Sequence, residues 1–289
     1  GTGFQPDKRL QLSGLSDLIQ YLLDQHQMVL LGEPGSGKTT LLERIFIEFT
    51  LKKLLPTGQI PVLLRLSSFR GDTSFEDFIV QCLGPLGNRF ADVKDRLVLL
   101  CDSLNEMPFV SHTTDKRDLI LEVRTYLENT TMTWMLSCRT RDYVSHNLSQ
   151  VGRGVIRIEI MPLSILKVQQ ALNLRFRKLP QLAKGLWGEL CGGAQNEQLI
   201  LQIWRKFDQH AEEDRFWDYL SIQAMQSLTA VPHYITESEQ FAWKQMHDRK
   251  LMRLCRNPYM LKLISGVYVD SIKESKPLPD SQGQIFHQV

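Results

Sequence analysis

Met28-Val29-Leu30-Leu31-Gly32-Glu33-Pro34-Gly35-Ser36-Gly37-Lys38-Thr39-Thr40 is an apolar run that passes directly into a complete G-x-x-x-x-G-K-[ST] loop. Gly32, Gly35 and Gly37 let the backbone turn with its N–H groups inward, where a side chain would block a polyphosphate. Glu33, Pro34 and Ser36 complete the cradle. The loop feeds an amphipathic segment, Lys38 to Thr50, with Leu41, Leu42, Ile45, Phe46 and Phe49 at helical spacing. The N-terminus of such a helix offers free N–H groups and a positive dipole end to phosphate. Lys38 is then placed to reach the β and γ oxygens, Thr39 to ligate Mg²⁺, and Thr40 to make a further phosphate contact.

The rest of the composition fits that core. The chain has 289 residues, 43% of them hydrophobic and 23% charged, enough for one large or two medium domains. A formal net charge of +2 gives no global basic field for nucleic acid, and Arg175, Arg177 and Lys178 read as a solvated helix face. No apolar run approaches membrane-spanning length and no leader pattern opens the chain, so a cytoplasmic protein is expected. Cys82, Cys101, Cys138, Cys191 and Cys255 lie far apart with no C-x-x-C pair, as expected of reduced, buried thiols. Gly1-Thr2-Gly3 lacks an initiator methionine and reads as an appended remnant, with the chain a piece of a longer protein.

Five short apolar runs read as strands: Met28–Leu31, Pro61–Leu66, Leu97–Asp102, Met132–Cys138 and Val155–Ile160. Helical patterns lie between them, including Phe75–Cys82 and Asp115–Leu127. This alternation predicts an α/β domain with a parallel sheet covered on both faces. After Met161-Pro162 the pattern becomes helical throughout, which sets a boundary near 162: a nucleotide-binding domain over 1–162 and a helical domain over 163–289. Trp187, Trp204, Trp217 and Trp243 belong to the second part, where they are expected to anchor helix packing.

A phosphate loop acting on a nucleotide needs a carboxylate at the tip of a buried strand, so that its charge meets the metal rather than the interior. Asp102, ending Leu97-Val98-Leu99-Leu100-Cys101-Asp102, supplies it, directly or through water. Glu106, four residues on, is positioned to polarise a water for attack on the γ-phosphate. The next strand ends at Arg139, where a guanidinium can sense whether the γ-phosphate is present. Arg141 is a reserve candidate that with Asp142 could equally form a surface ion pair.

These residues resemble the NACHT subgroup of the STAND signalling ATPases, relatives of the AAA+ proteins. The resemblance rests on Leu31–Thr40, Pro61–Leu66, Leu97–Met107, Ser137-Cys138-Arg139-Thr140-Arg141-Asp142-Tyr143, Ile158–Leu163 and Asn257-Pro258-Tyr259-Met260-Leu261, in matching order and spacing. It implies a P-loop NTPase three-layer sandwich whose five-stranded parallel sheet has the order 5-1-4-3-2, followed by a helical domain that closes over the nucleotide. It further implies that Pro258 lies against the adenine, although a helix-starting proline is equally compatible. Residues from about Phe4 to Leu18 would form the other wall of the base pocket. The implied activity is that of an ATP/ADP- and Mg²⁺-dependent switch ATPase with Lys38, Glu106 and Arg139 as its catalytic residues. Such a switch rests closed on the diphosphate, then opens and forms homo-oligomers, with sensor and effector domains elsewhere in the full-length chain. The motifs look bacterial, and bacterial relatives are associated with signalling and antiviral defence.

One departure bears on rate. The family's D-G-x-D-E run reads Asp102-Ser103-Leu104-Asn105-Glu106, so the second aspartate is Asn105. The missing charge favours tight nucleotide holding or slow turnover. Two other readings stand beside the switch. An ordinary-turnover P-loop ATPase or GTPase is opposed by the absence of an Asn-Lys-x-Asp run, and Leu12-Ser13-Gly14-Leu15 lies on the wrong side of the loop for a transporter signature. A non-hydrolysing scaffold with nucleotide as structural glue is kept open by Asn105.

Overall fold

The computed structural model describes residues 14–51, 58–107, 116–145, 155–208, 216–217, 236–279 and 285. Gly1-Thr2-Gly3 and most of the Phe4 to Leu18 stretch lie outside them. The chain divides into two compact units, Gly1–Met161 and Pro162–Val289.

The first unit is built on five parallel strands: β1 (Gln27–Leu31), β2 (Ile60–Arg65), β3 (Leu97–Asp102), β4 (Thr133–Cys138) and β5 (Ile156–Glu159). Their order is β2-β3-β4-β1-β5, the 5-1-4-3-2 arrangement read from the opposite edge. The central strands are continuous apolar runs because both faces are covered. Period-two alternation then sorts their side chains. Met28 and Leu30 of β1, Val98 and Leu100 of β3 and Met135 of β4 pack with α1 (Leu15–Gln25) and α2 (Lys38–Leu51). Val29, Leu31, Leu97, Leu99, Cys101, Trp134 and Leu136 enter a second core with α3 (Phe75–Cys82) and α5 (Lys116–Asn129). The short α4 (Phe90–Val93) and 3₁₀ turns link α3 to β3, and α6 (Thr140–Ser145) follows β4. Helix α1 was not anticipated, although Leu18, Ile19 and Leu22 recur at helical spacing and are all buried.

The register brings every functional strand tip to one edge. Leu31 pairs with Cys138 and with Glu159, Arg65 with Asp102, and Cys101 with Leu136. Between β1 and β4 the chain's direction of winding reverses, the position at which open parallel sheets hold their ligands.

The second unit is helical: α7 (Ile165–Arg175), α8 (Pro180–Leu190), α9 (Glu197–Asp208), α10 (Glu237–Arg249), α11 (Leu251–Cys255) and α12 (Pro258–Glu274). All four of its tryptophans are buried in one core. Trp243 donates to the Phe216 carbonyl at 3.0 Å, and Arg256 lies 4.4 Å from the Trp217 ring centre. Helix α10 starts with a capping box between Thr236 and Glu239, and Lys206 of α9 donates to both Glu239 oxygens at 2.7 and 2.9 Å. Leu163 and Arg256 tie the start of the unit to the turn before α12: the Leu163 N–H donates to the Arg256 carbonyl at 2.8 Å and Arg256 Nε returns to the Leu163 carbonyl at 3.1 Å. Arg175, Arg177 and Lys178 are exposed, as a solvated face requires. Four cysteines are buried, but Cys82 is exposed at the end of α3, a correction to the expectation that all five are interior. Among the described residues no helix is long and apolar enough to cross a membrane.

Candidate functional site

The loop between β1 and α2 has the conformation its glycines anticipate. Gly35 and Gly37 take φ of 75° and 98°, which side-chain-bearing residues rarely adopt. A Cβ on Gly32 would lie 2.6 Å from Ser36 Oγ, so this glycine allows the loop to close on itself. A Cβ at Gly37 would meet nothing within 4 Å, leaving open space above the loop. Ser36 Oγ is buried and without a hydrogen-bond partner among the described residues. An unpaired hydroxyl, an open cradle and the first N–H groups of α2 form a donor set suited to a polyphosphate.

Lys38 folds back over the loop, its Nζ donating to the Gly32 and Glu33 carbonyls at 2.8 and 3.1 Å. Burial, and then the Arg139 guanidinium, hold its pKa below the ordinary lysine value. A cation disfavoured in this way gains most from an arriving anion. Thr39 and Thr40 are exposed at the start of α2. The Thr39 hydroxyl donates to Asp102 Oδ1 at 3.2 Å, joining the loop to the tip of β3.

Asp102 is 6% exposed and accepts a second hydrogen bond at Oδ1, from Ser137 Oγ at 2.8 Å. Among the described residues its Oδ2 accepts none. Thr39 and Asp102 together can hold a divalent cation: a hydroxyl oxygen and a carboxylate oxygen on neighbouring elements, the hard donors Mg²⁺ prefers. Among the described residues no cluster of three or more His, Cys, Asp or Glu side chains could bind a metal by itself, so the remaining ligands would come from phosphate and water.

Beyond Asp102 the chain turns through Ser103, at φ 60° and ψ 58°, into the 3₁₀ turn Leu104–Glu106. A serine thus occupies a left-handed position where the family pattern has glycine. Two bonds staple this turn to β4: the Ser103 N–H donates to Ser137 Oγ at 2.7 Å and the Arg139 N–H to Asn105 Oδ1 at 3.3 Å. Asn105 therefore acts as an acceptor for the backbone at the end of β4, a role its amide oxygen fills as well as a carboxylate would. Glu106 and Arg139 meet in an ion pair at 3.2 Å, both side chains substantially exposed. Arg141 is exposed on α6, while Thr140 donates to Glu159 of β5 at 3.0 Å. Burial pushes the Cys138 thiol up to about 12, so it carries no nucleophilic chemistry at neutral pH.

The structure thus brings Lys38, Thr39, Asp102, Asn105, Glu106 and Arg139 to one edge of the sheet. Pro258 lies in the other unit, as the first residue of α12, behind Asn257, whose Oδ1 caps the Tyr259 and Met260 N–H groups at 3.0 and 3.3 Å. The helix-start role is therefore realised. Sequence reasoning missed Ser137; its signal is a hydroxyl near the end of a fully buried strand, which must find a partner. A groove of about 740 Å³ between α3 and α5 lies by the residues preceding β3 and β4, at the opposite edge of the sheet. It is lined by Glu76, Asp95 and Glu122 against a single lysine, Lys94, the wrong charge for a polyphosphate.

No curated protein matches the chain. A family model described as the NACHT domain matches residues 26–178, just over half of the chain, from the start of β1 to just past the first helix of the second unit. With a phosphate loop, a buried strand-end aspartate and this strand order already in place, the chain belongs to the NACHT family of nucleotide-binding P-loop NTPases.

Proposed function

We propose that the protein is an ATP/ADP-binding signalling switch that hydrolyses ATP slowly with Mg²⁺. In this reading residues 1–162 form the nucleotide-binding domain and 163–289 a helical domain that closes over the ligand, with Pro258 against the adenine. The observation that carries it is the mutual engagement of Glu106 and Arg139. The group suited to activating water is paired with the cation suited to sensing the γ-phosphate. Arrival of a triphosphate offers Arg139 a stronger acceptor and frees Glu106, so occupancy and chemistry are coupled through one contact.

The remaining roles follow from position. The loop 32–37 and Thr40 hold the phosphates, Lys38 neutralises the β and γ oxygens, and Thr39 with Asp102 holds Mg²⁺, which when bound offsets charge on the transferring phosphoryl group. Glu106 takes a proton from the attacking water as the bond from the γ-phosphorus to the ADP oxygen breaks. Exchange of ADP for ATP then favours an open, self-associating form. A few kcal/mol of differential contact is sufficient to invert two populations. Sensor and effector domains in a longer cytoplasmic chain, and a place in bacterial defence or signal transduction, complete the proposal. Asn105, which brings no negative charge to this turn, supports a second reading in which nucleotide is retained as glue without hydrolysis.

Glu106→Gln tests the switch. The variant is expected to bind ATP, to lower its turnover at least about a hundredfold, and to assemble with ATP while remaining monomeric with ADP by light scattering. Identical masses in the two nucleotides would overturn the switch, and unchanged turnover would remove Glu106 as the base.

A further inference from the structure

We propose that Ser137 is a positioning residue for the divalent cation, a role that rests on the reading of Asp102 as its ligand. Ser137 is wholly buried on β4, beside Leu30 of β1 in the strand register. A hydroxyl there loses its water, at a cost of about 1–3 kcal/mol unless hydrogen bonds replace it. Both functions of the hydroxyl are used. Its hydrogen goes to Asp102 Oδ1 at 2.8 Å and its oxygen accepts the Ser103 N–H at 2.7 Å.

The consequence for the site is geometric. Asp102 is at the last position of β3, where a carboxylate has several rotamers open to it. With Ser137 and Thr39 both on Oδ1, the carboxylate is pinned from two sides and Oδ2 is the oxygen left for a cation. The bond to Ser103 acts on the same centre by another route. It holds the left-handed turn that leads to Asn105 and Glu106, so one buried hydroxyl fixes the metal ligand and the path to the proposed base. Partners of this kind orient metal ligands in other sites, and their loss lowers metal affinity about tenfold to a hundredfold.

The test is Mn²⁺ binding to the protein saturated with ADP, followed by electron paramagnetic resonance, for wild type, Ser137→Ala and Asp102→Asn. Ser137→Ala is expected to raise the Mn²⁺ dissociation constant at least about tenfold and to broaden the spectrum of the bound ion. A constant and spectrum matching wild type in Ser137→Ala, with the Asp102→Asn constant raised tenfold or more, would overturn the positioning role alone. If Asp102→Asn also binds Mn²⁺ as wild type does, the metal reading of Asp102 falls and the positioning role with it. Should Ser137→Ala fail to fold, Ser137→Cys carries the same test: its thiol nearly matches the volume but bonds weakly, so the same rise is expected and wild-type binding would contradict it.

Discussion

Lys38 and Lys206 are both half-buried lysines, and their surroundings differ in what closes the charge. Lys206 donates to both oxygens of Glu239, a carboxylate only 4% exposed that also caps α10 through the Thr236 N–H. Lys38 has two peptide carbonyls, with no carboxylate at ion-pair distance among the described residues and Arg139 adding to its disfavour. In the helical unit Lys206, Glu239 and Thr236 form a closed set that serves stability. At the edge of the sheet a cation, an unpaired serine hydroxyl and the N-terminus of α2 are arranged around an anion that the protein itself does not supply.

This difference predicts opposite responses to substitution. Lys38→Ala is expected to weaken nucleotide binding at least about a hundredfold while thermal stability without ligand stays level or rises, as titration calorimetry and melting curves would show. Binding at wild-type affinity would break the contrast. Glu239→Gln should do the reverse, costing about 2–3 kcal/mol of stability by removing the carboxylate charge that Lys206 donates to, with the folded variant still binding nucleotide. A denaturation midpoint equal to wild type would show that the pair is not structural.

Acid sharpens the same contrast. Burial alone would raise the Glu239 carboxyl, but Lys206 and the Thr236 N–H hold it below its ordinary value of 4.5. A depressed carboxyl contributes stability above its unfolded pKa and loses it as pH falls through the folded one. The gap between wild type and Glu239→Gln should therefore be full at neutral pH and shrink below pH 4.5. For Lys38 the folded pKa is also lowered, but the group is a cation, so without ligand its contribution rises with pH on approach to 10.5. Comparison of wild type with Lys38→Met across that range should show this rise, and bound nucleotide should flatten it.

The smallest expected effect lies at the turn after β3. Ser103→Gly relieves a left-handed serine and should stabilise the protein by about 0.5 kcal/mol, the strain removed being partly offset by the freedom glycine adds to the unfolded chain. A loss of stability would mean that the Ser103 side chain has a role its backbone angles do not reveal.

The strands were legible because a parallel sheet buried on both faces leaves continuous apolar runs, and Leu97–Asp102 occupies the same residues in the sequence reading and the structure; their order came only from the family resemblance. The loop was legible because phosphate binding by backbone demands glycine at fixed spacing. What escaped were relations across strands. Ser137 looks like any serine until the β3–β4 register places it beside Asp102. Asn105 looks like a lost charge until the Arg139 N–H is seen donating to it. Helix α1 escaped because the sequence reading stopped at the phosphate loop and the Phe4 to Leu18 wall, and the spacing of Leu18, Ile19 and Leu22, which cover a sheet face, went unread.

The central claim is that the sheet edge built by Lys38, Thr39 and Asp102 retains a nucleoside diphosphate at rest. Denaturing the purified protein and identifying what it releases by chromatography tests this most directly. Near-stoichiometric ADP is the predicted result; an empty site together with fast steady-state ATP turnover would contradict it.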